Sequence, residues 1–124
     1  MPAVVQRNAL LRPVEQRHRR IRIVVEVEVT ADLIQDRART HDLSAGGMFV
    51  DSALDYLVGM VVNLSFQLYG HRFEMRARVV HVKPQVGFGA QFLDLAPAER
   101  NHLLRLVHCE RATREAERLL RMPA

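Results

Sequence analysis

Lysine is nearly missing from this chain of 124 residues: 17 of its 18 basic residues are arginine, and Lys83 stands alone. Arginine's planar fork grips a phosphate, or the O6/N7 edge of guanine, in two places where lysine offers a point charge. A GC-rich genome also favours arginine codons everywhere, so the bias by itself names no ligand. Cysteine is reduced to Cys109, which excludes an internal disulfide and fits a reducing compartment. No stretch approaches the roughly 18 apolar residues that span a bilayer, and no charged region followed by an apolar run and a cleavage site opens the chain. A cytoplasmic protein without membrane insertion is expected. None of the six histidines pairs with another at a helical i,i+4 spacing, and Cys109 has no second cysteine, so no metal site is expected. His41, Asp42 and Ser44 contain the atoms of a hydrolytic triad, but adjacent strand residues point to opposite faces. No catalytic residue and no cofactor are assigned. The chain shows no internal repeat and no low-complexity segment, and its length suits one domain with a real core.

What is present is unevenly placed. Residues 1–22 carry Arg7, Arg12, Arg17, Arg19, Arg20 and Arg22 against Glu15 alone, for +5, whereas residues 23–124 hold twelve basic and thirteen acidic groups, for −1. The whole positive excess is therefore N-terminal, and it is densest at Arg17-His18-Arg19-Arg20-Ile21-Arg22.

Directly after this cluster, Ile23, Val25, Val27 and Val29 alternate with Val24, Glu26, Glu28 and Thr30, a strand with one apolar face. Asp36 to Thr40 is polar enough to read as a turn into a short strand, and Met48 to Val50 reads as a return strand after Gly46-Gly47. Asp51 to Leu57 reads as a loop or short helical turn, ended by Gly59. Val62, Leu64, Phe66 and Leu68 then share a face, Gly70-His71 reads as a two-residue turn, and Phe73, Met75, Ala77 and Val79 share the next face. Lys83-Pro84-Gln85 breaks that strand, and Val86, Phe88, Ala90 and Phe92 alternate beyond it. Six short strands with turns at these intervals predict a mainly β protein, a small antiparallel barrel.

From Pro97 the period changes. Asp94 or a neighbour can cap a helix, Pro97 fits its first turn, and Leu103, Leu104, Leu106 and Val107 form an apolar stripe for the barrel. No breaker follows before Pro123. In the second half Cys109, Ala112, Ala116 and Leu119 recur at spacings of three and four, flanked by Glu110, Arg114, Glu117 and Arg121. Two readings stay open: a short seam joining two chains as a homodimer, and a solvated, charge-paired tail. The expected division is a flexible segment 1–16, a barrel domain 17–107 that includes the start of the helix, and a helical extension 108–124.

Between the first strands lies the loop Asp42-Leu43-Ser44-Ala45-Gly46-Gly47. An arginine cluster opening the first strand, this loop, and the later Val86-Gly87-Phe88-Gly89-Ala90-Gln91-Phe92 segment together resemble the PilZ domain, a bacterial receptor module for cyclic di-GMP. Asp42, Ser44 and Gly47 match the family's loop motif in full. The second motif, two arginines separated by three residues, is matched in part: one frame sets His18 and Arg22 at its two positions, the other Arg17 and Ile21. The resemblance covers residues 16–107. It implies a PilZ-type barrel with a C-terminal α-helix that binds cyclic di-GMP through Arg17, His18, Arg19, Arg20 and Arg22 on one side and Asp42, Ser44, Gly46 and Gly47 on the other. It also implies a relay to an unidentified protein partner through ordering of the N-terminal segment. Many family members with eroded arginine motifs act instead as protein adaptors that bind no nucleotide, which is the alternative for this chain.

The chemistry of the ligand agrees with that set. Arginines hold phosphate or a guanine O6/N7 edge, and an ionised carboxylate such as Asp42 accepts from guanine N1–H and N2–H. A third reading, a basic barrel that binds single-stranded nucleic acid, needs exposed aromatic rings to stack on. The chain has no tryptophan, and Phe66, Phe73, Phe88 and Phe92 fall on the predicted core faces.

Overall fold

The computed structural model describes residues 20–121. Six strands, β1 (Val25–Ala31), β2 (Ile34–Leu43), β3 (Gly47–Asp51), β4 (Val61–Leu68), β5 (His71–Lys83) and β6 (Gly87–Phe92), precede one helix, α1 (Pro97–Leu120). Every strand pairs antiparallel with its neighbours, and the order β1-β2-β3-β6-β5-β4 closes back on β1 as a barrel. Closure removes the free strand edges that an open sheet of this size would expose.

The alternation read from the sequence sets the core. Val25, Val27 and Val29 of β1, Val62, Leu64, Phe66 and Leu68 of β4, and Phe73, Met75, Ala77 and Val79 of β5 are all buried, as are Phe88, Ala90 and Phe92 of β6. Val86 is exposed, because it belongs to the turn before β6 rather than to the strand. Leu103 and Val107 of α1 are fully or almost fully buried. Each contributes roughly 1.5–3 kcal/mol of gross burial, which fastens the first half of the helix to the barrel.

Three local expectations are corrected. Asp36 to Thr40 is no turn: it lies inside β2, paired with β1 from Ile34↔Ala31 to Thr40↔Val25. This part of the strand was hidden because its inward side is small and polar. Asp36 points inward and accepts from the Ser52 hydroxyl at 2.7 Å and the Tyr56 hydroxyl at 2.9 Å. Burial and then the Asp36 hydrogen bond push the Tyr56 phenol well above its ordinary pKa. Tyr56→Phe should lower stability by about 1.5–3 kcal/mol, the worth of one hydrogen bond to a charged acceptor with Ser52 still in place. Urea denaturation with an unchanged m-value would register the loss, and an unchanged midpoint would mean that the phenol holds nothing.

The hairpin turn is Tyr69-Gly70, one residue earlier than expected, since Leu68 pairs with His71. Both turn residues have positive φ, 51° and 80°, as a two-residue turn that follows the strand twist requires. Asp94 does not cap α1. The N-cap is Ala96, without a side-chain hydrogen bond, and Pro97 occupies the first turn. Asp94 instead accepts from the Arg76 backbone N–H at 2.7 Å and from Arg76 Nε at 2.8 Å. Those bonds hold its carboxyl below the usual range. Their contribution is complete at neutral pH and is lost as pH falls through that lowered pKa.

Candidate functional site

The residues before β1 continue along β2. Ile21 exchanges backbone hydrogen bonds with Leu43 at 2.9 and 3.0 Å, and Ile23 N–H donates to His41 C=O at 3.2 Å. This register sets Arg22 opposite Asp42, and Ile21 enters the core at 5% exposure. The frame with Ile21 at an arginine position thus places a buried apolar side chain there.

A β-bulge turns the loop outward. The β2–β3 register shifts between Thr40 and Asp42, and the buried Thr40 hydroxyl fills the step, accepting from Asp42 N–H at 3.2 Å with the Phe49 carbonyl 2.5 Å away. Bulges re-aim the side chains that follow them. Asp42 meets Arg20, with Nη1 to Oδ2 at 3.2 Å and both side chains substantially exposed.

Ser44 has a different position. It is buried, its Oγ accepts from the N–H groups of Gly46 (3.1 Å) and Gly47 (3.2 Å), and its hydroxyl lies 3.2 Å from the Gly47 carbonyl. The two glycine amides that the sequence offered to a ligand are thereby bonded within the loop. Gly47 opens β3 opposite Gln91 of β6: a Cβ there would lie 2.2 Å from the Ala90 carbonyl oxygen, so only glycine allows the approach.

Along this loop runs an open groove of about 1240 Å³. Arg20, Asp42, Ser44, Gly46 and Gly47 line it, together with Phe49 and Met48 of β3, His81 and Lys83 of β5, Gly89 and Gln91 of β6, and Arg100 of α1. Phe49 and His81 stack with centroids 5.7 Å apart, and Lys83 Nζ lies 5.8 Å from the Phe49 centroid. The volume exceeds the roughly 300–1,000 Å³ of pockets for drug-sized ligands, room enough for a dinucleotide. Lys83 and Arg100 were not singled out from the sequence, because each is an isolated cation far along the chain and only the β5–β6 pairing and the helix start bring them to the loop. Arg22 does not line the groove, and its carbonyl accepts from Arg114 of α1. Arg111 Nη1 similarly lies 3.5 Å from the Arg20 carbonyl. Arg17, His18 and Arg19, like the expected flexible segment 1–16, fall outside the described residues.

The triad atoms do not converge. His41 is exposed and its ring meets the Asp51 carboxylate on β3, Asp42 faces Arg20, and Ser44 is closed on its own loop. Among the described aromatic residues, Phe66, Phe73, Phe88, Phe92 and Tyr56 are buried and Tyr69 stands at a hairpin tip, which leaves half-buried Phe49 as the aromatic ring on the groove.

The described residues thus form a closed barrel with Arg20 and the β2–β3 loop at the rim of a groove that also holds Lys83 and Arg100. The chain belongs to the PilZ domain family, which it matches over residues 15–108. Similar solved structures include the Bacillus subtilis inhibitor of motility (MotI/DgrA), 19% identical with a TM-score of 0.70 over 78% of this chain and 51% of that one. Escherichia coli YcgR in complex with c-di-GMP is 23% identical with a TM-score of 0.66, over 85% of this chain and 50% of that one. The PilZ domain of the same YcgR with c-di-GMP is 22% identical with a TM-score of 0.64, over 82% and 95% of the two chains. At these identities the likeness is one of fold, and this chain spans about half the length of MotI and of full YcgR. No curated protein matches the chain. No helix among the described residues is long and apolar enough to cross a membrane.

Proposed function

We propose that this protein is a cyclic di-GMP receptor that passes the level of the messenger to a protein partner. The observation that carries the proposal is the meeting of Arg20 and Asp42, 22 residues apart, on the rim of a groove that also holds Lys83 and Arg100. Arg20, Lys83 and Arg100 would hold phosphate or the guanine O6/N7 edge, and Asp42 would accept from guanine N1–H and N2–H. Ser44, Gly46 and Gly47 would act by shaping the loop. An exposed ion pair is worth about 0–1 kcal/mol, whereas each charge-assisted bond to the ligand is worth roughly 1.5–3 kcal/mol. The ligand therefore gains more than is lost when it separates Arg20 from Asp42. Movement of the arginine segment would reach α1 through Arg111 and Arg114, which hold the Arg20 and Arg22 carbonyls. Arg17, His18 and Arg19 are proposed to add contacts from the preceding residues.

Calorimetric titration with cyclic di-GMP tests the proposal: saturable heat is expected, with little response to GMP. Binding to any oligonucleotide with steep salt dependence would favour the nucleic-acid reading. No heat from either would leave the PilZ-fold adaptor that binds no nucleotide.

The partner surface is proposed to include the second half of α1, where Cys109, Ala112, Ala116 and Leu119 are all exposed while Glu110–Arg114 (2.7 Å) and Glu115–Arg118 (2.8 Å) pair alongside. If this face joins two copies, light scattering should give twice the monomer mass, and Ala112→Glu with Ala116→Glu should return it to one. A monomeric wild type at high concentration would exclude the seam.

A further inference from the structure

We propose that His71, Glu99 and His102 form a site for a divalent transition-metal ion, best matched by zinc, where the β4–β5 hairpin meets the start of α1. The three side chains come from two elements, with His71 the first residue of β5 and Glu99 and His102 in the first turns of α1. Glu99 and His102 are three residues apart, the spacing that puts two helical side chains on one face. Their ligand atoms and that of His71 all lie within 4.8 Å of one another. His71 Nε2 is almost equidistant from the two Glu99 oxygens, at 3.0 and 3.1 Å, and the His71 and His102 rings meet edge to face with centroids 4.4 Å apart.

Around a tetrahedral zinc with bonds of about 2.0–2.1 Å, donor atoms stand about 3.4 Å apart. The set needs a contraction of an ångström or so, which half-exposed side chains provide by small rotations. Phe73 backs both imidazoles, its ring centroid 4.5 Å from His71 and 5.7 Å from His102. That apolar wall limits the orientations of the rings and gives the site one dry side. Water reaches the other side and would complete the coordination.

Two imidazoles and one carboxylate suit zinc and its neighbours rather than calcium or magnesium, which favour all-oxygen sets. Ligation needs the Nε2 lone pair of His71, so its proton must reside on Nδ1, and any His71 protonated beforehand releases one proton on binding. The ion would replace the His71–Glu99 hydrogen bond as the link between hairpin and helix. The pattern escapes a scan for paired histidines because the third ligand lies 28 residues from Glu99.

The test uses the full chain, stripped with a chelator and titrated with zinc by calorimetry and with cobalt by visible absorption. One equivalent of zinc should bind, cobalt should show the intense bands of a tetrahedral site, and His71→Ala, His102→Ala and Glu99→Gln should each weaken zinc binding at least tenfold. Zinc should raise the Tm of the wild type by several degrees and leave that of His102→Ala unchanged. Glu99→Gln keeps size and hydrogen bonding, so it separates loss of ligation from loss of folding, and circular dichroism verifies the fold of each variant. His18→Ala, His108→Ala and Cys109→Ser should bind as the wild type does. Absence of saturable zinc binding, or dependence on His18, His108 or Cys109 instead of the three ligands, overturns the site.

Discussion

Asp42→Ala and Arg20→Ala should each weaken cyclic di-GMP binding by at least tenfold. A tenfold change corresponds to about 1.4 kcal/mol, less than the roughly 1.5–3 kcal/mol expected for one charge-assisted contact. The two side chains face each other across 3.2 Å, so their effects should not simply add. Removing Asp42 deletes the guanine acceptor but also frees Arg20, and the double variant should lose less than the product of the single losses. Arg20→Lys should fall between wild type and Arg20→Ala, because it keeps the charge and loses the fork. Arg22→Ala should cost less than Arg20→Ala, since Arg22 is not part of the groove lining. Stability should change by no more than about 1 kcal/mol in any of these variants, because the pair is exposed. Calorimetry on each folded variant decides the matter. Unchanged affinity in both Asp42→Ala and Arg20→Ala would place the ligand elsewhere or leave the adaptor reading.

The barrel was legible wherever one strand face is fully apolar. Val27, Val29, Leu64, Phe66, Phe73 and Val79 alternate with polar neighbours and are all buried, so period and burial coincide. The first part of β2 escaped because its inward residues Asp36, Ala38 and Thr40 are small or polar, and their placement depends on partners far along the chain. Ser52 and Tyr56 satisfy Asp36, and Phe49 and the bulge satisfy Thr40. No local pattern reports such tertiary hydrogen bonds. The candidate site divides in the same way. Asp42 and the arginine cluster are visible as a motif and a charge run, whereas Lys83 and Arg100 join them only through strand order and helix docking. The role of Ser44 is likewise a matter of geometry, since nothing in a sequence separates a hydroxyl that faces a ligand from one that closes its own turn.

Gly47→Ala should be strongly destabilising, because the methyl group it adds has no room. The added Cβ would stand 2.2 Å from the Ala90 carbonyl oxygen and 3.4 Å from the Gln91 Cα. The first atom belongs to backbone, so no side-chain rotation relieves the clash. Strands β3 and β6 must part, and the Gly47↔Gln91 and Met48↔Ala90 pairings loosen with them. Overpacking a core typically costs about 1–3 kcal/mol, and the lost ladder contacts bring the expected loss to roughly 3 kcal/mol or more. In a domain of this size that is a fall in Tm of about 12 °C or greater. Gly70→Ala is the informative control: its Cβ meets nothing within 4 Å, but φ is +80°, so only the left-handed backbone penalises it, by about 1–2 kcal/mol. Binding should separate the two variants further. Gly70→Ala leaves the groove intact and should bind as the wild type does, whereas Gly47→Ala displaces the loop that Ser44 closes, and Asp42 with it, so affinity should fall even where the variant remains folded at low temperature. Thermal denaturation and titration of both variants test this. A Gly47→Ala protein no less stable than Gly70→Ala would mean that β3 and β6 do not approach as closely as the motif glycine implies.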